Sequence, residues 1–177
     1  MTEFGREYGE GLYALCAEEH IERDALREVQ ALKASFRENE DFLRLLGNMT
    51  LSKEQRVAIV DDTLKGSVHE YVLNFLKLLV ERGAIHEFPE CAAAYQACYN
   101  REHGVVEAKV TTAQPLNDGQ RQKLIEKLQS MTGKEIVIKE KVDASVLGGV
   151  LLQMEGKRYD NTVAHRLNAI KQAMAGQ

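Results

Sequence analysis

The chain has 177 residues, 44% hydrophobic and 28% charged, which allows one domain of ordinary size or two small soluble ones. A formal net charge of −4 argues against a nucleic-acid binder along its whole length. No apolar run approaches the roughly 20 residues of a membrane-spanning helix, and Met1-Thr2-Glu3-Phe4 carries neither the basic nor the apolar stretch of a leader.

The first 104 residues read as helix after helix. Phe4, Tyr8, Leu12 and Leu15 fall on one face of a first helix over about 2–18, and Gly5, Gly9 and Gly11 lie in the same segment. Each glycine costs a helix interior about 1 kcal/mol against alanine, so their expected use is to admit another backbone closely. Charged neighbours exclude a membrane setting for Gly5-x-x-x-Gly9. Leu26, Val29, Leu32 and Phe36 stripe a second helix over about 22–37, and a short third follows Asn39 and stops at Gly47. Ser52-Lys53-Glu54-Gln55 predicts a capping box opening a fourth helix, with Val57, Val60 and Leu64 inward. Ser67-Val68-His69-Glu70 predicts a second box opening a fifth. That fifth helix carries Val72, Leu73, Phe75, Leu76, Leu78, Leu79 and Val80, more apolar residues than one stripe holds. It is either central to a bundle or covered on one face by a partner. A sixth helix starts at Pro89 and ends at His103-Gly104.

The pattern changes at Gly104. Residues 105–111 read as a strand, Asn117 or Asp118 caps a helix to about Met131, and Gly133 stops it. Residues 136–155 read as two strands joined by Asp143-Ala144-Ser145, with Gly148-Gly149 inside the second strand as a bulge or close backbone approach. A last helix covers about 163–174, with Val163, Leu167, Ile170 and Met174 at helical spacing. The fold class is therefore mainly α: an N-terminal six-helix bundle over 1–104, then a small α+β domain with a β-hairpin over 105–177. Charge divides with it, 12 Lys+Arg against 19 Asp+Glu in the first part (−7) and 11 against 8 in the second (+3).

Chemistry is sparse. No phosphate-binding loop surrounds Gly148-Gly149, the five histidines are scattered, and Cys16, Cys91 and Cys98 form no metal or redox motif and suit a reducing compartment. Asp143 and Asp160 are expected to flank turns, bonding nearby backbone N–H groups, and Asp61-Asp62 to lie on a solvated face. No catalytic, cofactor or metal residue is assigned. An RNA-associated module remains as an alternative, motivated by the +3 part and by Lys134, Lys139 and Lys141, although no aromatic platform accompanies them.

Several stretches in order resemble the delta-subunit family of rotary ATP synthases, related to the mitochondrial oligomycin-sensitivity-conferring protein. Val142-Asp143 followed by Val146-Leu147-Gly148-Gly149-Val150 resembles the family signature. Arg6-Glu7-Tyr8-Gly9-Glu10-Gly11-Leu12 is similar to its opening Tyr-Ala-x-Ala-Leu helix, with Gly9 and Gly11 where alanine is usual. Asn74-Phe75-Leu76-Lys77-Leu78-Leu79-Val80-Glu81-Arg82-Gly83 resembles its fifth helix, and residues 110–116 the start of its C-terminal domain. Tyr159-Asp160-Asn161-Thr162-Val163, then Arg166-Leu167, resembles its Asp-Gly-Ser-Val…Leu ending, with Asn-Thr replacing Gly-Ser. The resemblance implies a non-catalytic stator subunit without cofactors. Its N-terminal domain would bind the N-terminal segment of an alpha subunit of the catalytic head, in a groove between the first and fifth helices. Its C-terminal domain would engage the membrane-anchored b subunits. The implied location is the cytoplasmic face of a bacterial plasma membrane, reached only through partners. Tyr8, Gly11, Leu12 and Leu78 are carried over as groove residues.

Overall fold

The computed structural model describes residues 2–146 and 148–162. The predicted last helix, about 163–174, lies outside the described residues. Two compact units divide the chain, Met1–Glu102 and His103–Gln177.

The first unit is helical: α1 (Glu3–Glu18), α2 (Glu22–Glu38), α3 (Glu40–Leu46), α4 (Lys53–Leu64), α5 (Glu70–Glu81) and α6 (Phe88–Glu102), with a 3-10 turn at Ile85–Glu87. Thr2 caps α1, its hydroxyl accepting from the Gly5 N–H at 3.1 Å. The expected capping box opens α4: Ser52 Oγ accepts from Gln55 N–H at 3.2 Å, and Gln55 Oε1 accepts from Ser52 N–H at 2.9 Å. The box predicted at Ser67 does not form. Gly66 turns with φ +79°, Lys65 and Val68 form a bridge, and the Ser67 N–H is given to the Leu64 carbonyl. Capping falls instead to His69, whose Nδ1 accepts from the Tyr71 N–H at 3.3 Å.

The core of this unit runs from Leu12, Tyr13 and Cys16 through Val29, Leu32 and Phe36 to Val72, Leu76, Leu79, Phe88 and Tyr95, all buried. Tyr95 is fully enclosed, yet its hydroxyl donates to the Glu22 carbonyl at 3.0 Å, so no polar group is stranded there. Arg56, also buried, donates to the Leu46 and Val80 carbonyls at 3.3 Å each, joining the ends of α3 and α5. On α1 the buried side is Gly5, Gly9, Leu12, Tyr13 and Cys16, rotated from the predicted Phe4-Tyr8-Leu12-Leu15 stripe. The cause is steric. Gly5 and Gly9 bring α6 against their own side of the helix, and Leu15 is left 42% exposed.

The second unit holds β1 (Val105–Thr112), α7 (Asp118–Thr132), β2 (Glu135–Val142), β3 (Gly149–Met154) and β4 (Lys157–Thr162). Asn117 caps α7 with a second capping box, and Gly133 closes it at φ 68°. The sheet order is β2-β1-β3-β4. Strands β2 and β3, consecutive in the chain, are therefore not neighbours: β1 lies between them, parallel to β2 and antiparallel to β3. The hairpin is β3–β4, closed by Glu155-Gly156 at φ 49° and 75°, the positive pair that a two-residue turn matched to strand twist requires. Gly148-Gly149 stands at the entry to β3 rather than inside it, with φ 126° and 88°, values that disfavour a residue bearing a Cβ. Val106, Ala108, Leu128, Ile136 and Met154 form the core of this unit. Glu140 ties the β1–α7 connection to β2 by accepting from the Leu116 N–H at 2.6 Å and pairing with Arg121 at 2.8 Å.

The first part is helical, and a four-stranded sheet carrying one described helix follows it. This is an α+β arrangement dominated by helix.

Candidate functional site

A groove of about 600 Å³ lies between α1 and α5, lined by Glu7, Tyr8, Gly11, Leu12, Leu15, Tyr71, Asn74, Phe75 and Leu78. Its floor is Leu12 and Phe75, both buried; its walls are Leu15 and Leu78, 42% and 37% exposed. Tyr8 stacks on Phe4 with ring centroids 4.0 Å apart, which fixes the ring that closes one side. The other end is set where α1 finishes and α5 begins: the negative charge of Glu19 near Tyr71 pushes that phenol's pKa up.

The sequence of α5 accounts for the apolar surface. Val72, Leu73, Phe75, Leu76, Leu79 and Val80 are buried on several sides, so the helix is central to its unit. Leu78 is the large apolar residue left over, turned outward into the groove. On α1 the glycines part company. A Cβ on Gly9 would come within 2.3 Å of the Cys91 carbonyl oxygen, whereas one on Gly11 meets nothing within 4 Å. The close approach predicted for these glycines is thus made by α6 at Gly5 and Gly9, while Gly11 opens the groove.

The groove brings Tyr8, Gly11, Leu12 and Leu78 together in one concavity. Sequence reasoning missed Glu7, Leu15, Tyr71, Asn74 and Phe75 as its lining. Helical spacing from the residues already chosen was the available signal: Leu15 is four beyond Gly11, and Tyr71, Asn74 and Leu78 step by three and four.

Elsewhere the structure offers little chemistry. Among the described residues no group of three or more His, Cys, Asp or Glu is placed to hold a metal. The three thiols are buried and burial pushes each pKa up, Cys91 to about 11, which removes nucleophilic character. Asp61 does not lie on a free solvated face but pairs with Lys77 of α5 and, at 3.5 Å, with Lys65. Asp143 accepts from the Ser145 N–H at 3.0 Å as expected, and Asp160 lies within β4, the strand that follows the Glu155-Gly156 turn. The lysines that motivated an RNA reading each have a carboxylate partner: Lys139 pairs with Glu107 at 2.6 Å, Lys141 with Asp143 at 3.6 Å, and Lys134 with Glu155. No helix among the described residues is long and apolar enough to cross a membrane.

A family model described as ATP synthase delta (OSCP) subunit matches residues 5–174. The ATP synthase subunit delta of Synechococcus elongatus is 33% identical over 169 residues, covering 95% of this chain and 94% of that protein. That of Clostridium kluyveri is 28% identical over 169 residues, covering 96% and 93%. A chain in the Toxoplasma gondii mitochondrial ATP synthase hexamer superposes with a TM-score of 0.73 over 99% of this chain and 98% of its own length. At 19% identity that likeness speaks for the fold alone.

Proposed function

The chain belongs to the ATP synthase delta (OSCP) family, and from that premise we propose that its α1–α5 groove holds the N-terminal segment of an alpha subunit of the catalytic head. It is a non-catalytic subunit of the peripheral stalk, the stator that resists rotor torque. In our reading residues 1–104 grip the head and residues 105–177 engage the b subunits. Membrane attachment then comes only through those partners, at the cytoplasmic face of a bacterial plasma membrane.

The observation that carries the alpha assignment is the open apolar face between Leu15 and Leu78, shaped to take a helix by anchors three and four residues apart. Tyr8, Gly11, Leu12 and Leu78 are the contact residues. Calorimetric titration of the full chain with a peptide from the alpha N-terminus of the same synthase tests this. Saturable binding is expected, weakened at least ~10-fold by Leu78→Asp, as for a central interface anchor. Absence of binding at high peptide concentration, or equal affinity in the variant, overturns the assignment.

A further inference from the structure

The walls of the α1–α5 groove carry charge of one sign. Glu7 lines it on α1. Glu18, seven residues beyond Gly11, shares that face at the far end of the same helix. On α5, Glu70 lies four residues before Asn74 and acts with its charge on Tyr71, whereas Glu81 lies with Lys77 in the cleft toward α4. Glu7, Glu18 and Glu70 are exposed, and none forms an ion pair among the described residues. Glu19 adds a fourth negative charge beside Tyr71.

The cations of the two helices are elsewhere. Lys77 of α5 is turned toward α4, where it pairs with Asp61. Arg6 of α1 is five residues from Gly11, about 140° around the helix from it. The result is an apolar floor between two unneutralised acidic walls, in a unit, Met1–Glu102, that sums to −7. The mutual repulsion of these carboxylates is relieved when cations are laid between them.

We propose that the occupant of this groove is a cationic amphipathic helix, with an apolar stripe seated on Leu12 and Phe75 and Lys or Arg residues on both flanks facing Glu7 and Glu18 on one wall and Glu70, with Glu19, on the other. This rests on the reading that a helix binds here at all, and adds which helices the groove accepts. Exposed pairs of this kind contribute modestly one by one, so their role is selection and rapid encounter, both weakened by salt.

The test uses two synthetic helical peptides with the same Leu/Ile stripe, one flanked by Lys and one by Glu, titrated into the full chain at low and high salt. The alpha N-terminal peptide runs in parallel. At low salt the Lys-flanked peptide is expected to bind at least ~10-fold more tightly than its Glu-flanked twin, with the gap narrowing to below ~3-fold at high salt. Replacing the four carboxylates (Glu7→Gln, Glu18→Gln, Glu19→Gln, Glu70→Gln) is expected to shrink the low-salt preference likewise, and Leu78→Asp to weaken the Lys-flanked peptide. Equal binding of the two peptides, or a preference that survives the four substitutions, overturns the charge inference while leaving the groove as a helix site. Lys-peptide binding indifferent to Leu78→Asp puts that peptide outside the groove and overturns the inference. If neither designed peptide nor the alpha peptide binds, the groove reading itself fails.

Discussion

A Cβ added at Gly9 would meet the Cys91 carbonyl oxygen at 2.3 Å and the Ala94 Cβ at 2.7 Å; one added at Gly11 meets nothing within 4 Å. Two residues apart on one helix, these glycines have different causes. Gly9 admits the α6 backbone, and Gly11 leaves the groove open. Alanine at Gly9 therefore overpacks the α1–α6 contact, at a cost of about 1–3 kcal/mol that its better helix propensity offsets only in part. Alanine at Gly11 gains that propensity, up to about 1 kcal/mol, with no clash. Thermal unfolding of the two variants should move in opposite directions, Gly9→Ala down and Gly11→Ala up. A rise in both would show that α6 does not need the bare backbone at Gly9. That the segment had a use for small residues was legible in the sequence. Which glycine faced which neighbour was not, because spacing within α1 says nothing of where α6 lies.

Between elements, the contact of α1 with α6 is the most extensive among the helices, and it encloses several weak acids. Tyr13 and Tyr95 pack edge to face with centroids 5.3 Å apart. Burial first, then the Glu102 carboxylate that accepts from it at 3.0 Å, pushes Tyr13 up to about 12. Burial likewise pushes Tyr95 far up and Cys91 to about 11, from an ordinary 9.0 for the thiol. In the unfolded chain these groups release their protons near their ordinary values, while the folded unit keeps them. Between about pH 9 and 11 the native state thus binds more protons, and stability falls as pH rises. The melting temperature of the full chain should drop across that window, and Cys91→Ala should flatten the drop. A melting temperature constant to pH 11, or a drop unaltered by the substitution, would count against buried ionisation as the cause.

Strand topology was the element-level feature the sequence hid. Residues 136–155 read as two strands joined at Asp143-Ala144-Ser145, and strands do form there, over Glu135–Val142 and Gly149–Met154. Their separation by β1 depends on a non-local pairing that alternation does not encode, with Val106 opposite Ile136 on one side and Val110 opposite Leu152 on the other. Gly156-Lys157 marks the β3–β4 turn in the sequence, one residue later than the observed Glu155-Gly156, and the offset has a chemical reason. Glu155 occupies a positive-φ position where Asn or Asp is the usual signal. On α5, by contrast, the excess of apolar residues did register in the sequence, because composition reveals surplus burial without requiring knowledge of the neighbours.

Over the whole molecule the shift from helical periodicity to alternation at Gly104 lies close to the division between the units at Glu102 and His103. Charge follows the same division, −7 against +3. In the first unit it has a structural correlate in the carboxylates along the groove, which appear only once α1 and α5 are set side by side. In the second, the three lysines that stood out in the sequence are matched by Glu107, Asp143 and Glu155, partners contributed largely by other strands or turns. A stator subunit needs no reaction centre. It needs surfaces that hold against torque, and we propose the α1–α5 groove as one of them. Native mass spectrometry of the full chain mixed with the purified catalytic head of its synthase tests that most directly, with Leu78→Asp beside the unaltered protein. The expected result is a stable complex of head and chain for the unaltered protein, and its loss for the variant. A complex formed equally well by Leu78→Asp, or none with either protein, would contradict the account.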